Sequence, residues 1–451
     1  MKRILCAFLL LAFGRPLFAL ERQPNADYRA RRVALGEKLN GGAAILFAAE
    51  EPQLDFTPYR QDSDFYYFTG WNEPGAAILI IGAGPASQAR MGPVPAHEYR
   101  EVLFLPTRNR VLELYTGEKI DAASPNAKSV TGFDEVLPMT VLPGELNKFI
   151  AEDSRRTRNL WAQAGNEQAK SLAAFTAATL GAADTPVLRD VGTLTMQLRA
   201  VKSPAEIELI RNATNASIAG QIAGIKAIHP GVTERSIAGI EIARQMEHGC
   251  ERPSYAAIVG SGANSTTLHY SANSATMQSG DVVVIDEACE YSMYASDITR
   301  TMPVNGHFTA RQREIYEIVL GAQRAAQNAF VTGKFKEGNV DQRGPVVTDT
   351  LDKIAFDYIN THGKDLHGQP LGKYFIHGLG HSVGLDVHDP IDYTKPLDKG
   401  MVFTIEPGIY IPEERLGIRI EDIYYVDADG RLVQLTAALP HTADEVEAAM
   451  Q

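Results

Sequence analysis

The sequence predicts a two-domain protein of mixed α/β class, in which a smaller N-terminal domain precedes a larger α+β domain with an internal pseudo-twofold repeat. Three observations predict it. At 451 residues the chain exceeds one ordinary core. Up to about Asp190, strand-like apolar runs alternate with helical stretches. Beyond Ser203 an order of helix, helix, histidine segment, strand, strand occurs twice.

Composition narrows the partners. An apolar fraction of 45% with 22% charged residues is that of a globular chain without low-complexity tracts. A net charge of −12 argues against nucleic acid, which needs a basic face. Nowhere does an apolar run reach the ~20 residues that cross a bilayer, so no stable membrane anchor is expected.

Taken in order, residues 1–19 read as a secretory signal. Lys2 and Arg3 precede the apolar "ILCAFLLLAF", and "GRPLFAL" offers an exit with cleavage after Ala19, although Leu17 stands where a small residue is preferred. An exported, periplasmic or secreted protein is the expectation, and a cytoplasmic one if this start is not a signal. Of the three cysteines, Cys250 and Cys289 would remain; two so far apart are too few to staple such a domain and are read as free thiols.

Residues 20–194 form the first domain. "AAILFAA", "AAILIIGAG" and "EVLFLP" are its strand-like runs, and "NEQAKSLAAFTAATLGA" is a helix. The second domain covers 195–451, its boundary near Thr195. Its first helix starts at Ser203, where Pro204 suits the first turn and Glu206 completes a capping box. A second helix runs from Thr233 to Gly249. "SYAAIVGSGANSTTLHY", "DVVVIDEACEY" and "YASDITRTMPV" follow. The second half has a helix from Thr309, another around "PVVTDTLDKIAFDYI", then "YFIHGLGHSVG", "MVFTIEPGIY" and "GIRIEDIYYV".

The acidic residues fall at matching places in the two halves. An even loop centred on Tyr291-Ser292 sets Asp286 opposite Asp297, and one centred on Glu413-Glu414 sets Glu406 opposite Glu421. Two anions about 5 Å apart on an apolar sheet are destabilising unless a cation joins them. Arg300 and Arg419 are available as partners. Two matched pairs converging on one axis, however, favour two divalent cations with a bridging hydroxide. His381 then adds one nitrogen to four carboxylates, a hard, oxygen-rich set that suits manganese better than a thiolate or all-histidine zinc site, with cobalt or zinc as alternatives.

Two motif alternatives sit in "HGLGHSVGLDVHDP". His377 and His381 have zincin spacing, but Gly378 replaces the glutamate of H-E-x-x-H. "GHSVG" matches the nucleophile elbow G-x-S-x-G, yet Ser382 lacks a full strand before it and a helix after it. It reads instead as an ordinary residue of a glycine-rich strand.

The assembled motifs resemble the pita-bread metallopeptidases, the aminopeptidase P family above all. "RQDSDFYYFTGWNEPGAAILI" and "TRNRVLELYTGEKID" look like its creatinase-type N-terminal domain. "IVGSGANSTTLHY", "VVIDEACEYSMYASDITRTMPV", "HGLGHSVGLDVHDP", "FTIEPGIYI" and "GIRIEDIYYV" are similar to its five site motifs, in order. The resemblance implies a pita-bread catalytic domain that removes the N-terminal residue from peptides with proline second. It implies Asp286, Asp297, His381, Glu406 and Glu421 as ligands of two metal ions. By the same resemblance His269 would hydrogen-bond substrate at the scissile amide, His388 would contact the bound peptide, and Glu406 would double as proton acceptor. His377 would line the proline side, while Arg419 and Tyr255 would orient ligands. Homodimers or homotetramers are implied as well. The resemblance leaves two alternatives: a prolidase acting on Xaa-Pro dipeptides, and a pita-bread binding protein without catalysis. Between His388 and Glu406 only Lys395 and Lys399 could grip a dipeptide's carboxylate, which favours longer peptides.

Overall fold

A computed structural model describes residues 20–51, 58–89, 92–94, 96–153, 159–181 and 186–451. The expected signal, 1–19, lies outside the described residues.

In the N-terminal domain a six-stranded mixed sheet has the spatial order Glu135–Pro138, Arg100–Leu105, Ala77–Ile81, Ala43–Phe47, Asn159–Ala162, Val187–Asp190. Its two central strands, "AAILF" and "AILII", are buried along their whole length. That explains their unbroken apolar character, since both faces of the sheet are covered. Ala43, Ile45 and Phe47 pack with Leu146 and Leu172 on one face. Alternate residues Ala44 and Leu46 point to the other. This second cluster continues without interruption into Ile210, Val383, Leu385 and Val402 of the C-terminal domain. The domains therefore share a core. Helix Gly192–Arg199 leads from one to the other and contains Thr195.

The C-terminal domain opens with helix Pro204–Ala227, with Ser203 and Glu206 forming both arms of the capping box. Helix Glu234–Glu247 is capped by Thr233, and helix Ala310–Ala329 has a second capping box at Thr309. The repeat is real in three dimensions. Strands Val282–Asp286 and Thr299–Pro303 form one hairpin base, and Val402–Ile405 with Asp422–Val426 form the other. The halves meet through the bridge between Thr299 and Glu421. A glutamine from the first helix of each half plugs the gap in its hairpin. Gln221 donates to the carbonyls of Glu287 and Ile298, and Gln323 to that of Ile405.

Register differs from expectation in one half. The second hairpin keeps the expected pairing: Ile405 opposes Asp422 and Gly408 opposes Arg419, around a turn at Pro412–Glu414 and left-handed Arg415. In the first, Asp286 opposes Thr299 rather than Asp297, and Tyr291 opposes Tyr294. The turn is centred on Ser292-Met293, both with positive φ (51° and 73°), the backbone of a type I′ hairpin. Met293 takes this unusual conformation while its side chain enters the shared core. The Ser292 N–H is held by the Glu251 carboxylate at 2.9 Å. A displacement of two positions preserves the face, so Asp297 stays on the side of Asp286, as a diagonal neighbour.

The cysteines are not free thiols: Cys250 and Cys289 form a disulfide. Strand Arg252–Pro253 pairs with Cys289–Tyr291 and brings their Cα atoms to 6.0 Å, a closeness that sequence separation conceals. The bond ties the end of helix Glu234–Glu247 to the hairpin bearing Asp286 and Asp297. Closing 39 residues of chain predicts about 2–4 kcal/mol of stability. Thermal melts with and without a thiol reductant, alongside Cys289→Ser, are expected to show matching losses.

Candidate metal centre

Each hairpin presents its acids at a break in the ladder, where backbone groups turn to other segments. Asp286 ends its strand. Asp297 precedes its partner strand by two residues. Glu406 donates its backbone N–H to the Leu379 carbonyl, and Glu421 donates to Thr299. His381 is delivered by segment 379–383, which runs along Val402–Ile405: the Thr404 N–H reaches the His381 carbonyl at 2.9 Å.

The result is a buried acidic pocket. Single ligand atoms of Asp297, His381 and Glu421 all lie within 4.8 Å of one another. His381 Nε2 stands 3.3 Å from Asp297 Oδ2 and 3.4 Å from Glu406 Oε1. Asp286 joins from the far side, held by Arg419 Nη2 at 2.6 Å. Asp286 Oδ1 and Glu421 Oε1 are buried without a hydrogen-bond partner. Orphaned carboxylate oxygens in one pocket fit a hard cation, because burying such atoms unpaired is otherwise costly.

Electrostatics agree. Burial, then the charges of Asp297, Glu406 and Asp286, drives the Glu421 carboxyl well above its usual range. Burial likewise raises Asp286 against the opposing pull of Arg419. Glu406 is pushed up by burial to about 7, though His381 opposes the shift. Burial disfavours charge on His381, yet its hydrogen bond to Asp297 and the nearby Glu406 raise it to about 10. The cluster is thus short of positive charge and holds protons in its place.

The remaining expected residues surround it. Tyr255 donates to Asp297 Oδ1 at 2.6 Å. Arg419 also donates to Tyr410 Oη and Thr299 Oγ1. His377 Nε2 lies 2.9 Å from Tyr410 Oη; burial and then Arg419 depress it to about 3, so it is neutral. The His388 ring stacks on that of His381 at 3.8 Å. His269 and His388 are exposed on a cleft of about 640 Å³ above the acids, with Leu268, Ile258 and Tyr393 among its walls.

Arg300 is absent from the centre: it is spent on Asp422, 2.7 Å away and fully buried. Ser382 is no nucleophile and no strand residue. It is buried, makes one bridge to Phe403, and its Oγ accepts from Lys202 Nζ at 3.2 Å outside the cleft.

Four residues of the centre escaped sequence reasoning. Thr299 donates to Glu421 Oε2 at 2.7 Å, and Thr404 to Glu406 Oε1 at 3.2 Å. Each lies two positions along the chain from an expected acid, so period-two spacing was a usable signal. Tyr410 and Glu337 had none. Glu337 is wholly buried behind Gly380 and pushed by burial to about 8.

Known proteins share this arrangement. Residues 28–159 match the aminopeptidase P N-terminal domain, and 208–428 match metallopeptidase family M24. Xaa-Pro aminopeptidase of Escherichia coli K12 is 34% identical, over 94% of this chain and 97% of its own. The Haemophilus influenzae Xaa-Pro aminopeptidase is 32% identical over 95% and 98%. Among solved structures, a variant of Escherichia coli aminopeptidase P in complex with substrate superposes with a TM-score of 0.80 at 31% identity, covering 95% of this chain and 99% of that one.

Proposed function

Because the chain belongs to metallopeptidase family M24 and carries the aminopeptidase P N-terminal domain, we propose that Asp286, Asp297, His381, Glu406 and Glu421 hold two divalent ions, manganese first among them. The protein is a metal-dependent Xaa-Pro aminopeptidase: it removes the N-terminal residue from peptides whose second residue is proline. The oxygen-rich, orphaned ligand set is the observation that carries the metal reading.

When bound, such ions supply Lewis acidity and an activated water near neutral pH. The chain's own residues do the rest. Glu406, whose carboxyl titrates near neutrality, is suited to accept the water's proton. His269, exposed on the cleft wall, can donate to the scissile carbonyl as negative charge develops on it. His388 contacts the peptide beside it. His377 stays neutral and, fixed by Tyr410, closes the proline side. Tyr255 and Arg419 keep Asp297 and Asp286 oriented.

Among the described residues the one arginine or lysine lining the cleft is Arg419, and Asp286 and Tyr410 engage it. Among the described residues no lining lysine or arginine is left to grip a dipeptide's carboxylate, which favours peptides of three residues or more. Manganese-loaded protein is therefore expected to hydrolyse Xaa-Pro-Xaa tripeptides well above Xaa-Pro dipeptides. Equal or reversed rates would make it a prolidase, and no hydrolysis of either would leave a binding protein. We also read the chain as exported, a reading that the disulfide supports.

A further inference from the structure

The loop bearing His381 and His388 is built around a buried carboxylate that belongs to neither the metal cluster nor the cleft. Asp389 is fully enclosed. Its N–H donates to the Ser382 carbonyl at 2.8 Å, closing the loop. Its Oδ1 accepts the Asp386 N–H at 3.2 Å. A Cβ on Gly384 would come within 2.6 Å of the Asp389 carboxyl carbon, so the chain wraps directly over it.

Two cations from the interdomain connection clamp this carboxylate. Arg199 Nη2 lies 2.5 Å from Oδ1, and Lys202 Nζ lies 3.1 Å from Oδ2. Lys202 also donates to Ser382 Oγ, beside His381. Arg199 continues to Asp386 at 2.7 Å and to Asp64 of the N-terminal domain at 2.8 Å. From that domain Ser63 donates to Asp386, and Arg60 donates to the Leu385 carbonyl at 2.6 Å. Apart from the Arg199–Asp64 pair, these contacts fall on residues 382–389, the stretch that follows His381 directly and includes His388.

Buried ion clusters are poor stabilisers compared with apolar packing, and their attested use is to impose one geometry. We propose that Asp389, clamped by Arg199 and Lys202, is a positioning residue for the reaction: it fixes the His388 imidazole over His381 at the cleft. Arg199 thereby makes the N-terminal domain part of the catalytic scaffold. The inference rests on His388 contacting the peptide, as read above.

The test is a double-mutant cycle on manganese-loaded full-length protein with an Xaa-Pro-Xaa tripeptide, with metal per chain and melting temperature measured for every variant. Asp389→Asn is expected to lower kcat/KM by about 10- to 100-fold, the usual range for an outer partner of a site histidine, with metal content unchanged. In a His388→Ala background the same substitution is expected to cost no more than about twofold, because its route is already gone. Arg199→Lys, which keeps charge but cannot span three carboxylates, repeats the cycle should Asp389→Asn fail to fold. A penalty that persists undiminished without His388, or that follows metal loss, overturns the positioning role. So does a His388→Ala variant as active as the parent. A parent that cleaves no Xaa-Pro peptide is a different result: it removes the proposed function before any variant is compared.

Discussion

Asp297→Ala is expected to fold, to bind little metal, and to lose more activity than the ~100-fold cost of removing a side chain that only orients a ligand. Asp297 is the hub of the cluster. It takes the Tyr255 hydroxyl on one oxygen and faces His381 with the other, and it sits within reach of Glu421. Metal per chain by atomic emission, before and after the substitution, is the measurement. A variant that retains the parent's full complement would mean that the acids are held together for another reason. The pH dependence of uptake follows from the same crowding. Glu406, Glu421 and Asp286 are raised above their ordinary values, and His381 is raised to about 10. Each raised group is protonated below its shifted pKa and must release that proton to bind a cation. Affinity for metal is therefore expected to climb as pH rises through about 7, where Glu406 loses its proton, and on towards about 10, where His381 does.

The second large effect concerns Glu406 alone. Glu406→Gln keeps the size of the side chain and one oxygen beside His381 but cannot accept a proton. A lost general base costs about 10²- to 10⁴-fold, and this should fall on kcat, with KM little changed. Metal content must be read in parallel, since the carboxylate is also a proposed ligand. Melting of the metal-free protein should move little, because burial already leaves Glu406 about half protonated at pH 7. Activity near that of the parent, with metal retained, would remove Glu406 as proton acceptor and leave it a ligand only.

Much of the architecture was legible because it depends on local rules. Capping boxes at Ser203 and Thr309 mark helices whose first turns need side-chain acceptors, and both form. Unbroken apolar runs reveal strands covered on both faces, as Ala43–Phe47 and Ala77–Ile81 are. The second hairpin's register follows from turn length, and Ile405 does oppose Asp422. Parity carried the first hairpin even where register failed, since a two-residue shift leaves Asp286 and Asp297 on one face. The four acids and one histidine expected together are those the fold gathers into one pocket.

The rest belonged to contacts between distant segments. Met293 is left-handed in a tight turn while its side chain enters a shared core, and no local pattern records that core. Cys250 and Cys289 meet because a two-residue strand pairs beside them. Arg300 goes to Asp422 rather than to the cluster. Glu337 enters from a segment with no periodicity to read. Periodicity, capping and turn chemistry are written within a few residues, so the sequence alone determined the repeat, the element order and the candidate acids. The partner of each buried charge was a matter for tertiary structure alone, because burial is what makes an unpaired charge costly and only the folded chain decides what is buried beside what.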